Sequence, residues 1–524
     1  MCCSLYTMGR KRRRSAAAAV SASDEGQAAR FFSSHRASQP QDDPEETGVE
    51  VTHIIPFDDV VCWVDSQSGS LLCAHAMAVA TGAWQTPLWT AFLPGAATCV
   101  AGAALCSTAC KTSAPMHQKT PARVLLLAMA RGMLLAVDPD TGSTVGSGVG
   151  MQPSSNTQAP ATSPSMEQVS NEVVCMTPLA MEGAVSSFTP PAALVADRRG
   201  GVALAWAQCC VDSSGGDTAA NVQVCTMELR MPSEETASPV TCAGGMASLC
   251  GGAMHTAVLQ ATAHGTVQAV HCRVHTAPWA NSDTSSCGPV CAESSSLAVL
   301  PARVTGVVCL VPSLGQAAAE GGVQGTLPAV LHGTSVWGIT DRTGGVAVVA
   351  VVADQHAASP PPPKLLFLAR GSITQGGDAR DQHAPSEPEH KTALCGVLTC
   401  IALGQAAFSC ESACDSDSVS LSWERQMAAG DTAGKVTLTT VNVRAVCSTS
   451  DAEGATLRGV TAQLDSGRQM AVSHEWVIAL EAAPGGGLWA GSLGGAGCSP
   501  TLWETGNAAS AVDAGAAASG CRQP

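Results

Sequence analysis

The residues of this chain best suited to chemistry are a histidine and four cysteines between positions 390 and 414. They are His390, Cys395, Cys400, Cys410 and Cys414. Thiolates and imidazole nitrogens are the ligands that structural zinc prefers. However, the cysteines are not arranged in Cys-x-x-Cys pairs, and Cys395 and Cys400 fall on opposite faces if their segment is a strand. We therefore interpret these cysteines as buried apolar thiols and predict no metal site.

Motifs of the common hydrolases, nucleotide-binding proteins and dehydrogenases do not occur in the sequence. It contains no Gly-x-Ser-x-Gly turn and no dinucleotide fingerprint, and "GDTAGK" (430–435) lacks the spacing of a phosphate loop. Paired carboxylates occur only in loop-like stretches such as "DDPEE", where solvent accounts for them. These motifs therefore assign no catalytic residue, and we predict no cofactor.

Composition and charge exclude two classes of partner. The net charge is −15 and only 13% of the residues are charged, so no basic surface is available for nucleic acid. No apolar stretch approaches the roughly 18 residues that a membrane span needs. Hydrophobic residues make up 45% of the chain but aromatic residues only 3%. We expect a soluble protein whose core is built from Val, Leu, Ala, Met and Cys.

The 24 cysteines are scattered along the chain and form no compact framework. In a chain of this length without a clear secretory signal, we interpret most of them as reduced core residues. The adjacent pair Cys209 and Cys210 is interpreted as the end of a strand. The alternative is a structural propeller of an oxidising compartment, in which disulfides replace the free thiols.

A glycine-cornered turn recurs along the chain and determines the expected elements. Three copies share the register Asp-x-x-Gly-x-Val, at Asp197 with Gly200, Asp341 with Gly344, and Asp431 with Gly434. The Asp side chain can accept a hydrogen bond from the backbone two residues on, and the Gly supplies the positive φ of a tight hairpin. The alternating apolar residues that follow are typical of a strand. Looser copies have turn residues Asp65, Gly69, Gly132, Gly265 and Gly494, and the second copy also contains Asp138 and Gly142.

Such a unit cannot bury its apolar face alone, so several units must share a core. Their number and the absence of helical periodicity predict an all-β fold, a seven-bladed β-propeller; a pair of sandwiches is the alternative. We place a disordered tail at 1–48, the propeller at 49–506 and a second disordered tail at 507–524. Polar stretches such as "MQPSSNTQAPATSPS" are expected to be long disordered loop insertions. The extended segment 48–57 is expected to pair with the last blade.

The copies resemble the repeats of two propeller families. "AAGDTAGKVTLTTV" (428–441) and "LWAGSLGGAGCSPTLWET" (488–505) are similar to WD40 repeats, whereas the turn with Asp138 and Gly142 is similar to the quinoprotein type. The Trp-Asp pair that ends a WD40 repeat is missing, and the intervals exceed the usual 40–45 residues. The resemblance implies a WD40-like propeller that acts as a protein–protein interaction scaffold or as the adaptor subunit of a larger complex.

A second, local resemblance implies an enzyme instead. The stretch from 473 to 506, with His474, Glu475 and Trp476, is similar to repeats of the WD40-type diphthine methylesterase. It implies a diphthine methyl ester hydrolase of the diphthamide pathway, with His474 as a base and Glu475 beside it. Here the three residues are contiguous, whereas that family spaces them.

The N-terminal segment contains a basic cluster from Arg10 to Arg14. Such a cluster is typical of a nuclear address, and the Arg-, Ser- and Ala-rich text around it also fits an organelle transit peptide. The third alternative is a charged tail without an address. We expect a cytoplasmic or nuclear protein whose partners are other proteins.

Overall fold

The computed structural model describes most of the chain between its two terminal segments. Described are residues 51–65, 68–82, 86–93, 99–106, 108–109, 123–129, 132–149, 173–181, 191–210, 221–230, 239–250, 253–274, 277–278, 289–320, 328–354, 361–373, 396–412, 418–448, 456–465, 467–483, 487–493 and 500–504. The basic cluster, both predicted tails and most of the polar insertions lie outside these residues.

The strands form seven sheets in chain order, which are the seven blades of a β-propeller, and the successive strands within each blade are antiparallel. Blade 1 contains β1 (Val51–Phe57), β2 (Val60–Asp65), β3 (Ser70–His75) and β4 (Trp89–Phe92). Blade 2 contains β5 (Cys99–Cys106), β7 (Arg123–Met129), β8 (Met133–Val137) and β9 (Thr144–Val149), and the short β6 (Thr108–Ala109) joins the next sheet. Blade 3 contains β10 (Val173–Pro178), β12 (Ala193–Asp197), β13 (Val202–Cys210) and β14 (Asn221–Arg230), and β11 (Ala180–Met181) joins blade 4.

The remaining four blades continue the series. Blade 4 contains β15 (Val240–Cys250), β16 (Ala253–Thr262) and β17 (Thr266–Val274), with β18 (Val290–Cys291) and β19 (Ser295–Ala298) both paired to β17. Blade 5 contains β20 (Val304–Val311), β21 (Thr334–Asp341), β22 (Gly345–Val352) and β23 (Lys364–Ser372). Blade 6 contains β24 (Val397–Ser412), β25 (Ser418–Asp431), β26 (Lys435–Ser448), β27 (Thr456–Leu464) and β28 (Arg468–Ala471). Blade 7 contains β29 (Val477–Ala482), β30 (Gly487–Ser492) and β31 (Thr501–Glu504).

The first strand of each blade is its inner strand, and these seven strands form a closed ring. Each inner strand contacts the inner strand of the next blade, and β29 of the last blade contacts β1 of the first. Every inner strand also has a bulge directly after its first residue. A bulge increases local twist and bends a strand. The same bend therefore occurs at the same place in all seven blades.

The expected pairing of segment 48–57 with the last blade is wrong. Its described part is β1, which is hydrogen-bonded to β2 and is the inner strand of blade 1. The first five residues of β1, from Val51 to Ile55, are all buried. A strand buried on both faces belongs at the ring interior, where a blade covers each side. Strand β1 contacts the last blade through side-chain packing. Val51 lies close to Gly491 of β30, and both Val51 and Ile54 belong to one apolar cluster with Trp489.

Within the described residues, three short helices lie in connections between strands. Helix α1 (Ala76–Ala80) follows the third strand of blade 1 and contacts β31, so its buried Val79 belongs to the cluster that joins the first and last blades. Helices α2 (Leu314–Glu320) and α3 (Ala329–His332) both lie between β20 and β21 of blade 5. Within the described residues, no helix has the length and apolar character needed to cross a membrane.

Candidate interaction surface and central channel

The three strictly spaced turns join the second and third strands of blades 3, 5 and 6. Their glycines have positive φ, at 95° for Gly200, 87° for Gly344 and 75° for Gly434. In each turn the Asp Oδ1 atom accepts hydrogen bonds from backbone N–H groups two and four residues on, at 2.7 to 2.9 Å. These hydrogen bonds stabilise the turn. The turns are therefore structural positions.

The looser copies occupy the same connection in other blades. Asp65 and Gly69 join β2 to β3, Gly132 joins β7 to β8, and Gly265 joins β16 to β17, all three glycines with positive φ. In four blades the chain that follows the outer strand returns over the turn: the N–H groups of Leu93, Leu300, Ile373 and Ser473 donate to carbonyls of Gly69, Gly265, Gly344 and Gly434. A Cβ atom on Gly265 would lie 1.9 Å from the Leu300 carbonyl oxygen. Glycine is required there by this close approach as well as by its backbone angle.

One predicted turn lies at a different position in its blade, and another lies outside the described residues. Asp138 and Gly142 lie between the third and outer strands of blade 2, where Asp138 accepts hydrogen bonds from the Asp140 N–H and the Thr141 hydroxyl. This turn is thus at the opposite end of the blade from the others. Gly494 belongs to the connection between β30 and β31 but lies outside the described residues.

The residues of the predicted hydrolase site lie on a surface connection. His474 and Glu475 are both exposed, between β28 and β29, and the backbone N–H of Glu475 donates to the Ser473 hydroxyl at 3.0 Å. Neither side chain makes a hydrogen bond or ion pair with the part of the chain that the structure describes. A general base needs a positioned partner and a substrate site, and among the described residues neither lies at His474.

The cysteines of the described residues include buried thiols, half-buried or exposed thiols, and a disulfide. Cys400 is buried in the inner strand of blade 6 and Cys410 is exposed near the end of the same strand, whereas His390, Cys395 and Cys414 lie outside the described residues. Among the described residues no group of three or more potential ligands surrounds a metal position. Cys272 and Cys291, opposite each other on β17 and β18, form a disulfide that the sequence does not reveal. Cys209 and Cys210 end β13.

Residues of blades 3 to 7, most of them on inner strands, line a cavity in the central channel. Its volume is about 140 Å³. Val307, Ile401 and Ala482 contribute to its apolar walls, and Arg425 and Glu481 are its charged residues. Its other lining residues are Thr177, Pro178, Ala180, Gly244, Gly245, Val308, Cys309, Trp337 and Ala402.

Glu481 is a charged residue at a position where the other six inner strands have uncharged residues. It stands four residues after the first residue of its inner strand, and the equivalent positions of the other six blades carry Ile55, Ala103, Thr177, Gly244, Val308 and Ile401. Desolvation by the surrounding protein raises the pKa of Glu481 to about 7. Sequence reasoning missed this residue, although a single carboxylate in the otherwise apolar strand "VIALEA" is the signal that identifies it.

Arg425 lies at the place where blade 6 begins to extend beyond the length of the other blades. Its guanidinium donates to the carbonyl oxygens of Leu310, on the inner strand of blade 5, and of Gly404. Gly404, with φ of 65°, lies in the irregular stretch after which β24 continues past the length of the other inner strands. Burial lowers the pKa of Arg425, and its electrostatic interaction with Cys309 acts in the opposite direction.

Beyond this point blade 6 continues as a four-stranded sheet, which we call the sixth-blade extension. It consists of residues 407–412, 418–424, 441–448 and 456–464. One face shares an apolar cluster with Leu314, Ala318 and Leu331 of helices α2 and α3, and includes Leu421 and Trp423. The extension is therefore supported by the helical insertion of blade 5.

The opposite face of the extension carries polar rows across all four strands. One row contains Ser409, Ser422, Arg444 and Thr461, and the next contains Ala407, Glu424, Asn442 and Gln463. Ser409 and Ser422 are hydrogen-bonded at 2.7 Å, and the Asn442 amide donates to Asp465 at 3.0 Å. The alternation of polar and apolar rows follows the pleat of the sheet. The face is thus ordered, polar and directed to solvent.

The solved structures to which this chain is similar have little sequence in common with it. Saccharomyces cerevisiae Sqt1 is 10% identical, over 88% of this chain and 97% of that one, with a TM-score of 0.37. The β-propeller domain of Myceliophteria thermophila Cps50 (Swd1) is also 10% identical, over 88% and 99%, with a TM-score of 0.39. The Neurospora crassa Pan2 WD40 domain is 8% identical, over 87% and 89%, with a TM-score of 0.32. No protein-family model matches the chain, and no curated protein matches its sequence. The seven blades are established by the strands and their pairing.

Proposed function

We propose that this propeller is a non-enzymatic platform for other proteins and that the sixth-blade extension is its principal contact surface. The observation that carries the proposal is the ordered polar face of the extension, with its rows of Ser, Thr, Asn, Gln, Glu and Arg side chains. The ring closes through its inner strands without this part of blade 6. The extension therefore takes no part in closing the ring of inner strands.

The chemistry of the face fits a protein partner. Interfaces between proteins that also exist separately are about as polar as the rest of the surface, and each carries roughly ten direct hydrogen bonds. Arg444 and Thr461 are neighbours in one row and both are exposed. Arginine is enriched at such interfaces because its planar group makes several hydrogen bonds at once.

The hydrolase alternative receives no comparable support. His474 and Glu475 are exposed on a connection, outside the channel cavity, and their side chains contact no orienting group in the described residues. A surface histidine without such a group is a poor general base. We therefore assign these two residues no catalytic role in the proposal.

Proximity labelling of the full chain in cells, followed by mass spectrometry, tests the platform. Thr461→Arg places a long cation on the outer strand of the face, and Ser147→Arg is the matched control because Ser147 is also exposed on an outer strand, in blade 2. We expect a reproducible set of partners for the wild type and for Ser147→Arg, and loss of one or more partners for Thr461→Arg at an unchanged melting temperature. No reproducible partner, or an identical set for all three proteins, contradicts the proposal.

A further inference from the structure

Three arginines lie together at one end of the propeller, which we call the turn face. This face carries the turns between second and third strands, 198–200 and 342–344 among them, and the first residues of the inner strands. Arg198 and Arg342 each follow the aspartate of such a turn, and Arg303 directly precedes the inner strand of blade 5. The three cations therefore stand within the arc of blades 3 to 5, around one end of the channel.

Hydrogen bonds across blade 4 hold the backbones of these arginines in one arc. The carbonyl oxygen of Arg198 accepts from the N–H of Val240, the first residue of the inner strand of blade 4, at 3.0 Å. The hydroxyl of the next residue, Thr241, donates to the carbonyl oxygen of the first residue of β20 at 2.9 Å. The Arg303 carbonyl oxygen accepts from the Arg342 N–H at 2.9 Å. The positions of the three backbones are therefore fixed relative to one another.

The side chains of the three arginines are close enough to act on one another. Arg198 and Arg342 are exposed, whereas Arg303 is half-buried. Burial lowers the pKa of Arg303, its electrostatic interaction with Cys242 acts in the opposite direction, and the charges of Arg198 and Arg342 lower it further. Because like charges repel, a group with several negative charges that lies across the cluster stabilises it.

The carboxylates of the same turns are directed away from the surface. Asp197 and Asp341 are both buried, and the Oδ1 atom of each accepts hydrogen bonds from N–H groups of its own turn. Arg199 adds a further exposed cation beside Arg198. The surface that blades 3 to 5 present on the turn face is therefore basic, although the chain as a whole has a net charge of −15.

The chain carries a segment of opposite charge that joins the propeller at the same face. Strand β1 begins at Val51, which pairs with Asp65 at the end of β2 and therefore lies on the turn face. The nine residues before it, "DDPEETGVE" (42–50), contain five carboxylates and no basic residue. This segment lies outside the described residues, and its attachment point is described.

We propose that the acidic segment 42–46 docks on the arginines of the turn face and covers this end of the channel. In a ring of seven blades, blade 1 stands opposite blades 4 and 5. Sheets that pack about 10 Å apart give such a ring a diameter of about 22 Å. The nine steps from Asp42 to Val51 span up to about 30 Å when extended. The segment is therefore long enough to cross from blade 1 to the arginines.

Attachment to β1 favours this segment over an acidic peptide of another protein. A short flexible link holds a tethered segment at an effective concentration in the millimolar range. Single exposed ion pairs are weak, but several carboxylates act together on the cluster, and half-burial of Arg303 reduces screening by solvent. A protein that uses the turn face must therefore displace the segment. The inference does not involve the sixth-blade extension and does not rest on the proposed platform function.

The experiment measures binding of a fluorescently labelled peptide of residues 41–50 to the full chain by fluorescence anisotropy. It compares the wild type with a neutral-segment variant, in which the four acidic residues of the docking segment are replaced by their amides: Asp42→Asn, Asp43→Asn, Glu45→Gln and Glu46→Gln. The same peptide with these four replacements is the neutral probe. A single-stranded oligodeoxythymidine tests whether the arginines bind nucleic acid instead.

Two further variants are made in the neutral-segment background. Arg198→Gln combined with Arg342→Gln removes the two exposed cations, and each substitution is also measured alone in case the combined variant has a lower melting temperature. Lys364→Gln is the matched control, because Lys364 is an exposed cation at the opposite end of blade 5.

We expect the acidic peptide to bind the neutral-segment variant about ten times more tightly than the wild type, whose own segment occupies the site. Loss of both exposed arginines should weaken this binding about tenfold, loss of either one by a smaller factor, and Lys364→Gln by less than about twofold.

Equal binding of the peptide to the wild type and the neutral-segment variant, or no binding to either, overturns the proposal. So does equal binding of the neutral probe, binding that the arginine substitutions leave unchanged, or tighter binding of the oligonucleotide than of the peptide. Because no partner protein takes part and the sixth-blade extension is unaltered, these results do not depend on the platform experiment.

Discussion

Arg425, on the second strand of blade 6, donates a hydrogen bond to the carbonyl oxygen of Leu310, on the inner strand of blade 5. The same guanidinium donates to the carbonyl of Gly404 at 2.8 Å, where blade 6 begins to extend past the ring. One side chain thus joins two blades and the base of the sixth-blade extension. Arginine suits this position because its rigid fork can serve two acceptors at once.

Arg425→Lys should destabilise the protein by about 1–3 kcal/mol, because an ammonium keeps the charge but cannot reach both carbonyls in the same geometry. Arg444→Lys, on the exposed face of the extension, should change the free energy of unfolding by no more than about 0.5 kcal/mol. Denaturant unfolding monitored by circular dichroism measures both. Equal losses for the two variants would show that Arg425 does not join the blades.

Asp341 accepts hydrogen bonds at Oδ1 from the N–H groups of Thr343 and Gly345 and from the Thr343 hydroxyl, at 2.7 to 2.9 Å, and it is fully buried. Asp341→Ala leaves these donors without an acceptor and should cost about 2–4 kcal/mol. Asp341→Asn keeps the oxygen and should cost less than the alanine variant. Asp138→Ala removes similar hydrogen bonds from an exposed turn, where water replaces them, and should cost about 1 kcal/mol or less. Thermal unfolding of the three variants gives this order or refutes it.

The sequence predicts those parts of the fold that local chemistry determines. The Asp-x-x-Gly register specifies a turn without help from the rest of the chain, as the backbone angles of Gly200, Gly344 and Gly434 show. Because the unit recurs and cannot bury its apolar face alone, several units must share a core, and this requirement predicts the seven-bladed propeller. The pairing of segment 48–57 was wrong because an extended apolar segment fits either the interior or the edge of a sheet, and only its neighbours decide between them.

The channel and the extension depend on contacts between distant parts of the chain. Glu481 becomes a channel residue only because seven inner strands, spread from Val51 to Ala482, form one ring. The extension requires helices from blade 5 to cover one of its faces. The Cys272–Cys291 disulfide likewise depends on the register of β17 with β18. No local spacing encodes these relationships.

A comparison of Gly265 with Gly404 distinguishes two reasons why a position requires glycine, a positive φ and a lack of space for a Cβ atom. Both have positive φ, at 77° and 65°, but a Cβ atom on Gly265 would lie 1.9 Å from the Leu300 carbonyl oxygen, whereas one on Gly404 would meet nothing within 4 Å. Gly404→Ala should therefore lower the free energy of unfolding by only about 1–2 kcal/mol, which is the cost of a positive φ for a residue with a Cβ atom. Gly265→Ala must in addition displace the chain at Leu300, so it should lower the free energy of unfolding by about 2–5 kcal/mol. Chemical denaturation of both variants checks the difference, and similar values would mean that the chain at Leu300 moves aside freely.

The raised pKa of Glu481, about 7, also predicts how stability depends on pH. The folded protein disfavours the ionised carboxylate, so Glu481 lowers stability progressively as the pH rises from the ordinary pKa of a glutamate, about 4.5, to about 7. Glu481→Gln resembles the neutral acid at every pH. It should therefore match the wild type near pH 4.5 and have a higher melting temperature at pH 8. Glu424→Gln, at an exposed position, should show no such pH-dependent difference. Parallel melting curves for Glu481→Gln and the wild type from pH 4.5 to pH 8 would show that the folded protein does not disfavour the charge at this position.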